Sequence, residues 1–294
     1  ERHRSCRREQ TIMKNLLTRT LTGLLFVAVL IGATVSSAQS FVILFAVATA
    51  LAVWEFSTVV NLHAGASVNR FINTVAAVYL FFCFAGYSSD LVPSKAFVPY
   101  LLSLLYLLIS ELYLQKPNPL KNWAFAFASQ IYIALNLSLL NVLAFQYDAL
   151  TNSTKFYWQF PLAVFILLWA NDTGAYLCGS ALHKRFPAKL FERVSPKKSW
   201  VGSIGGGVIC LTVAGVFGSF FPDLLSLWQW VGMGVVVCLF GTWGDLVESL
   251  LKRQLGIKDS GTMLPGHGGM LDRFDSSLLA IPAVVLYLYT LCNF

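Results

Sequence analysis

W-Q-W-V-G-M-G-V-V-V-C-L-F-G-T-W-G-D-L-V-E-S-L-L, Trp228 to Leu251, is an apolar run that ends in carboxylates. A bilayer hydrocarbon core about 30 Å thick takes about 20 residues of helix. Up to Gly244 the run carries no charge, so it is long and apolar enough to cross. Asp245 and Glu248 then arrive at its end. The stretch therefore says two things: the chain lives in lipid, and its chemistry starts where this span stops.

Similar runs fall at residues 21–38, 41–60, 71–88, 97–114, 124–145, 160–181, 201–221 and 277–294. The chain is 56% hydrophobic and only 12% charged, against about 25% charged in a soluble domain, so the apolar surface must be covered by lipid. The expected fold is an all-α integral membrane protein of about nine transmembrane helices, N-terminus cytoplasmic and C-terminus outside. Residues 1–20 are expected to form a basic, disordered segment, 21–155 an N-terminal bundle and 156–294 a catalytic bundle. Met13 would be a natural start, with residues 1–12 as upstream sequence.

The orientation comes from the basic residues. With the N-terminus inside, the segments facing the cytoplasm hold every Lys and Arg except Lys95 and Lys155, as the positive-inside rule requires. The net charge of +7 is thus spread over loops and does not form the continuous basic face of a nucleic-acid binder. The cysteines show no metal-binding spacing and read as small hydrophobes. Asp90, Asp148 and Asp223 read as solvated loop charges. Glu55, beside Trp54, reads as an interfacial anchor or a helix-packing residue, and Glu111 as reaching the interface.

Three clusters carry chemistry. Asp172 lies within W-A-N-D-T-G-A-Y, Trp169 to Tyr176, and an intramembrane carboxylate is costly enough to suggest a function; an interhelical hydrogen-bond cluster is the plainer alternative. Ser195-Pro-Lys197-Lys198-Ser-Trp200 precedes the glycines 202 and 205–207. Two lysines at a glycine-rich helix start can cradle phosphate, or simply anchor the span with Trp200 at the interface. The third cluster is the densest. Asp245, Glu248, Ser249 and Lys252 share one helical face at i, i+3, i+4 and i+7, where Asp245 or Glu248 can also pair with Lys252. Lys258, the glycines around His267, and Asp272, Arg273 and Asp275 follow. Clustered carboxylates call for a cation, and all-oxygen ligation suits Mg²⁺. With basic residues beside them, they point to phosphoryl or nucleotidyl transfer. Asp272 could instead cap a helix, and His267 could contact phosphate or stabilise a turn.

S-L-L-K-R-Q-L-G-I-K-D-S-G-T-M-L-P-G-H-G-G-M-L-D-R-F-D, Ser249 to Asp275, resembles the defining motif of phosphatidate cytidylyltransferases throughout. Asn171 to Tyr176 and Ser195 to Trp200 are also similar to that family; the N-terminal half resembles it only in hydropathy. One position departs: the family usually has Glu where Val201 stands here. The resemblance implies transfer of the cytidylyl group of CTP to phosphatidate, giving CDP-diacylglycerol and pyrophosphate, at the cytoplasmic face of the inner membrane. It implies a metal site of Asp245, Asp272 and Asp275 holding Mg²⁺, with K⁺ as a second cation. Lys252, Lys258, Arg273, Lys197 and Lys198 would neutralise phosphates, with Asp172, Ser249 and His267 lining the site, and a homodimer is the expected assembly. A CTP-dependent lipid kinase is the nearest rival. An ion or phosphate transporter is another, but it should show inverted repeats and polar residues along both halves of its spans; no repeat is visible.

Overall fold

The computed structural model describes residues 20–149, 151–182, 184–261, 263 and 268–292. The basic segment ahead of Thr20, and His267, lie outside these residues. Among the described residues, eight helices are long and apolar enough to cross a membrane: α2 Ala38–His63, α3 Arg70–Ser88, α4 Ser94–Leu114, α5 Pro119–Ala144, α6 Gln159–Leu182, α7 Trp200–Phe220, α8 Leu227–Gln254 and α9 Leu271–Leu291. A shorter apolar helix, α1 Thr20–Ser36, precedes them. The all-α integral membrane class expected from hydropathy is what the chain adopts. Its connectors add two short antiparallel hairpins: β1 Phe145–Asp148 with β2 Ser153–Phe156, and β3 Lys189–Phe191 with β4 Ser195–Ser199.

Helix starts follow local chemistry. Ser37, Asn69 and Ser199 each accept a hydrogen bond from a first-turn N–H of α2, α3 and α7, and Ser226 and Gln229 form a capping box on α8, satisfying amides that have no intrahelical acceptor.

Lipid gives helices no hydrophobic reason to associate, so close packing and interhelical hydrogen bonds must hold them. The α6–α7 contact shows the first device. Gly202, Gly206, Cys210, Ala214 and Gly218 recur every four residues on α7 and are all buried. A Cβ on Gly206 would stand 2.5 Å from the Asn171 carbonyl oxygen of α6. This glycine run therefore brings two helices together. The second device lies between α2, α3 and α5. Asn73 Nδ2 donates to Ser57 Oγ at 3.0 Å and Ser129 Oγ at 2.6 Å, and Gln130 Nε2 donates to Asn73 Oδ1 at 2.8 Å. Ser129 and Gln130 open the π-helical segment Ser129–Leu135 inside α5.

The connectors sort into two ends. Lys116 and Lys121 bond the carbonyls of Ser67 and Ala64 in the α2–α3 loop, and Glu55, a little earlier in α2, meets the α8–α9 connector. At the other end, Thr154 of β2 bonds Asp90, and Lys155 pairs with Asp148. That hydrogen-bonded ion pair holds the Lys155 ammonium above its ordinary pKa. Lys95, in the first turn of α4, and Lys155, in β2, the two exceptions to the charge rule, thus lie at the end opposite the basic connectors.

Candidate active site

Helix α8 emerges from its apolar stretch at Gly244, and its next turns carry the charges. Ser249 Oγ donates to Asp245 Oδ1 at 3.1 Å, and Lys198 of β4 pairs with Asp245 Oδ2 at 2.5 Å. One turn on, Lys252 Nζ sits between Glu248 Oε2 and Asp272 Oδ1, 2.7 Å from each. Of the two pairings the helical spacing allowed, Glu248–Lys252 is the one that forms. Glu248 is fully buried, and a buried carboxylate needs an ion-pair or hydrogen-bond partner.

Two cavities meet at this point. The first, about 440 Å³, is lined by Trp169 and Asp172 of α6, Asp245 of α8, and Asp272, Arg273 and Asp275 of α9, with Thr22 and Phe26 of α1 across from them. The second, about 540 Å³, lies between α6, α7 and β4 and is lined by Lys189, Lys197 and Lys198, among others. Asp172 and Asp245 line both. The first adjoins an apolar groove of about 350 Å³, which shares Thr22 and Phe26 with it and continues along Leu25, Val29, Leu44 and Phe274. Tertiary structure thus gathers Asp172, Lys197, Lys198, Asp245, Asp272, Arg273 and Asp275 from three separate stretches of sequence. Lys258 is exposed and lines neither cavity. Val201 stands in the first turn of α7, beside the cavity-lining Gly202 and Ser203 but not among that lining.

The expected carboxylate trio is not equivalent. Asp272 is engaged on both oxygens: Oδ1 by Lys252, Oδ2 by the backbone N–H groups of Ser260 at 3.0 Å and Gly269 at 2.8 Å. It caps no helix from the N-cap position, which is Met270; from inside the first turn it reaches back and holds the connector. Among the described residues, Asp275 accepts only from the Ser276 N–H, at 2.6 Å. Neither Asp172 nor Asp275 has an ion-pair partner among the described residues. Among those residues no three acidic, His or Cys side chains stand close enough to hold one ion by themselves. The donor set still fits Mg²⁺, which binds through one or two carboxylates and completes its shell with water and substrate phosphate.

Glu55 is the residue the sequence undervalued. It joins α2 to the start of α9 and to the connector before it. Its carboxylate is buried and accepts from the Met270 N–H at 2.8 Å, the Leu271 N–H at 3.2 Å and the Ser260 hydroxyl. Gly261 and Gly269 pack so close that a Cβ on Gly261 would lie 2.7 Å from Glu55 Oε2, and one on Gly269 closer still. The glycines of this connector admit the chain's own carboxylate. The available signal was the rarity of a carboxylate inside an apolar span.

Fold and site define a polytopic membrane protein with a charge-lined cavity between its helices. A sequence model described as the cytidylyltransferase family matches residues 17–291. The chain belongs to that family, as its Ser249–Asp275 motif led us to expect. Phosphatidate cytidylyltransferase of Staphylococcus haemolyticus (strain JCSC1435) is 35% identical over 189 residues, which are 64% of this chain and 68% of that protein. The Haemophilus influenzae (strain ATCC 51907 / DSM 11121 / KW20 / Rd) protein of the same name is 39% identical over 170 residues, 56% of each chain. That of Staphylococcus aureus (strain COL) is 42% identical over 131 residues, 44% of this chain and 49% of the relative. The matches therefore span between about half and two thirds of these relatives.

Proposed function

We propose that this protein transfers the cytidylyl group of CTP to phosphatidate, giving CDP-diacylglycerol and pyrophosphate. The observation that carries the reading is the wall formed by Asp172 and Asp245. On one side is a cavity rimmed by Lys189, Lys197 and Lys198; on the other is a carboxylate cavity that runs into an apolar groove. A polyanion suits the first and a lipid phosphate with its acyl chains suits the second. The names of the relatives supply the chemistry that joins them.

In the reaction, an anionic oxygen of the phosphatidate phosphate attacks the α-phosphorus of CTP. A new P–O bond forms, the α–β bridging bond breaks, and the electron pair leaves with pyrophosphate. The attacking oxygen is already ionised near neutral pH, so no strong general base is required, and positioning and charge stabilisation do the work. Lys197 and Lys198 hold the triphosphate, Arg273 the lipid phosphate, and His267 adds a phosphate contact; Lys258, outside both cavities, takes no part in holding them. Lys252, with Glu248 and Asp272, keeps α8 and α9 in register. Asp245 and Asp275 would hold Mg²⁺ with Asp172 beside them, and K⁺ would be a second cation. Such cations, when bound, neutralise phosphate charge. The site would face the cytoplasm, where CTP is available, in the inner membrane, with the C-terminus outside and the protein a homodimer.

Purified protein in detergent or bilayers, given CTP, Mg²⁺ and phosphatidate, should release pyrophosphate and CDP-lipid in equal amounts. A lipid kinase would instead yield CDP and a lipid phosphate. Absence of pyrophosphate from folded protein would sink the proposal.

A further inference from the structure

Glu55 is separated by more than 200 residues from the segment it binds. It belongs to α2, which contributes nothing to the lining of either polar cavity. Its carboxylate nevertheless takes donors from both stems of the α8–α9 connector: Ser260 on the incoming side, Met270 and Leu271 on the outgoing side. Asp272 repeats the pattern from within α9, taking the N–H groups of Ser260 and Gly269. The two stems are therefore clamped between two carboxylates, and only one, Asp272, is matched by a lysine. No Lys, Arg or His pairs with Glu55 among the described residues. Its charge is stabilised by a hydroxyl and two amides at the start of α9, where the helix dipole also favours an anion.

We infer that Glu55 is a positioning residue for the cytidylyl-transfer site. It sets the start of α9, and through it Asp275 and Arg273, against Asp245 of α8. The inference rests on the proposed function above. The geometry explains why a carboxylate is needed there. Met270 N–H donates to one oxygen, while Leu271 N–H and the Ser260 hydroxyl donate to the other. A glutamine keeps one acceptor and turns an NH₂ group toward a backbone N–H, so one of the two N–H groups that hold the outgoing stem loses its acceptor. Outer contacts of this kind typically change metal affinity or activity by about 10- to 100-fold.

The test compares wild type with Glu55→Gln, and with Glu111→Gln as a control. Glu111 is a carboxylate of the same half that bonds Asn122 at 2.7 Å and pairs with Lys116. The full chain is examined in detergent by hydrogen–deuterium exchange and by pyrophosphate release against Mg²⁺ concentration. Glu55→Gln should raise exchange within residues 255–276 and leave the other helices as in wild type. Its maximal rate should fall about tenfold or more, and its half-saturating Mg²⁺ should rise several-fold. A mere loss of folded molecules would lower the rate without moving the Mg²⁺ midpoint. Glu111→Gln should change neither. Wild-type exchange in 255–276 together with a wild-type Mg²⁺ midpoint overturns the inference; so does a rise in exchange spread over all helices. If Glu55→Gln does not fold, Ser260→Ala removes a single bond to the same carboxylate and must show the local exchange change at smaller amplitude; its absence is equally decisive. If wild type releases no pyrophosphate, the proposed function fails, while the exchange arm still decides whether Glu55 holds the connector.

Discussion

In the N-terminal half, Asn73, Ser57, Ser129 and Gln130 meet between α2, α3 and α5 and are all buried. In the C-terminal half, Asp172, Asp245, Asp272 and Asp275 meet between α6, α8 and α9 and line open space. Both clusters put polar groups where lipid would penalise them. The first is neutral, and its donors are spent on neighbouring helices, so it closes on itself and serves as glue. The second has more negative groups than the nearby lysines match, and it keeps a cavity. Excess charge beside open volume separates a site from a strut. Glu55 links the halves: a charged group placed on a helix of the first, spent on the connector of the second.

The contrast can be broken from either side. Asp275→Asn has the largest expected effect: pyrophosphate release should fall about 1000-fold, the loss typical of a group that stabilises transition-state charge, with unchanged helical circular dichroism. Full activity would remove Asp275 from the site. Lys252→Met leaves Glu248 and Asp272 buried without their cation. Breaking a buried pair costs about 3 kcal/mol or more, and thermal unfolding in detergent should show a lowered midpoint. Gly206→Val wedges α6 from α7. Overpacking costs about 2 kcal/mol, and the rate should fall with stability because Asp172 moves relative to Lys198. Asn73→Ala should cost least, about 1 kcal/mol for interhelical hydrogen bonds in lipid, with the rate per folded molecule unchanged. A rate loss exceeding its stability loss would erase the distinction between glue and site.

Much was legible in advance because lipid makes hydropathy decisive. A helix must satisfy its own backbone across the hydrocarbon, so apolar run length marked the eight long helices among the described residues, while the run at 21–38 forms the shorter α1. The i, i+3, i+4, i+7 pattern from Asp245 to Lys252 placed a charged face before any contact was known. What could not be read was how each polar residue spends its bonds. Of the glycines at 202 and 205–207, Gly206 packs α7 against α6, while Gly202 both packs there and lines the lysine cavity. Gly261 and Gly269 carry no mark in the sequence of the partner they admit, Glu55. Asp272 and Asp275 share a turn of α9 and line the same cavity, yet Asp272 is engaged by Lys252 and two amides while Asp275 accepts from a single neighbouring amide among the described residues.

By itself, then, the sequence determined the membrane class, the stretches that carry charge and, through the Ser249–Asp275 motif, the family. These depend on local composition and on a continuous string of residues. Only the tertiary structure decided that Asp172 and Asp245 share a wall between two cavities, that Lys252 is divided between α8 and α9, and that Glu55 holds the connector. Those facts depend on pairings across as many as 216 residues, and hydrogen bonds and ion pairs act over about 3 Å of space whatever the separation along the chain.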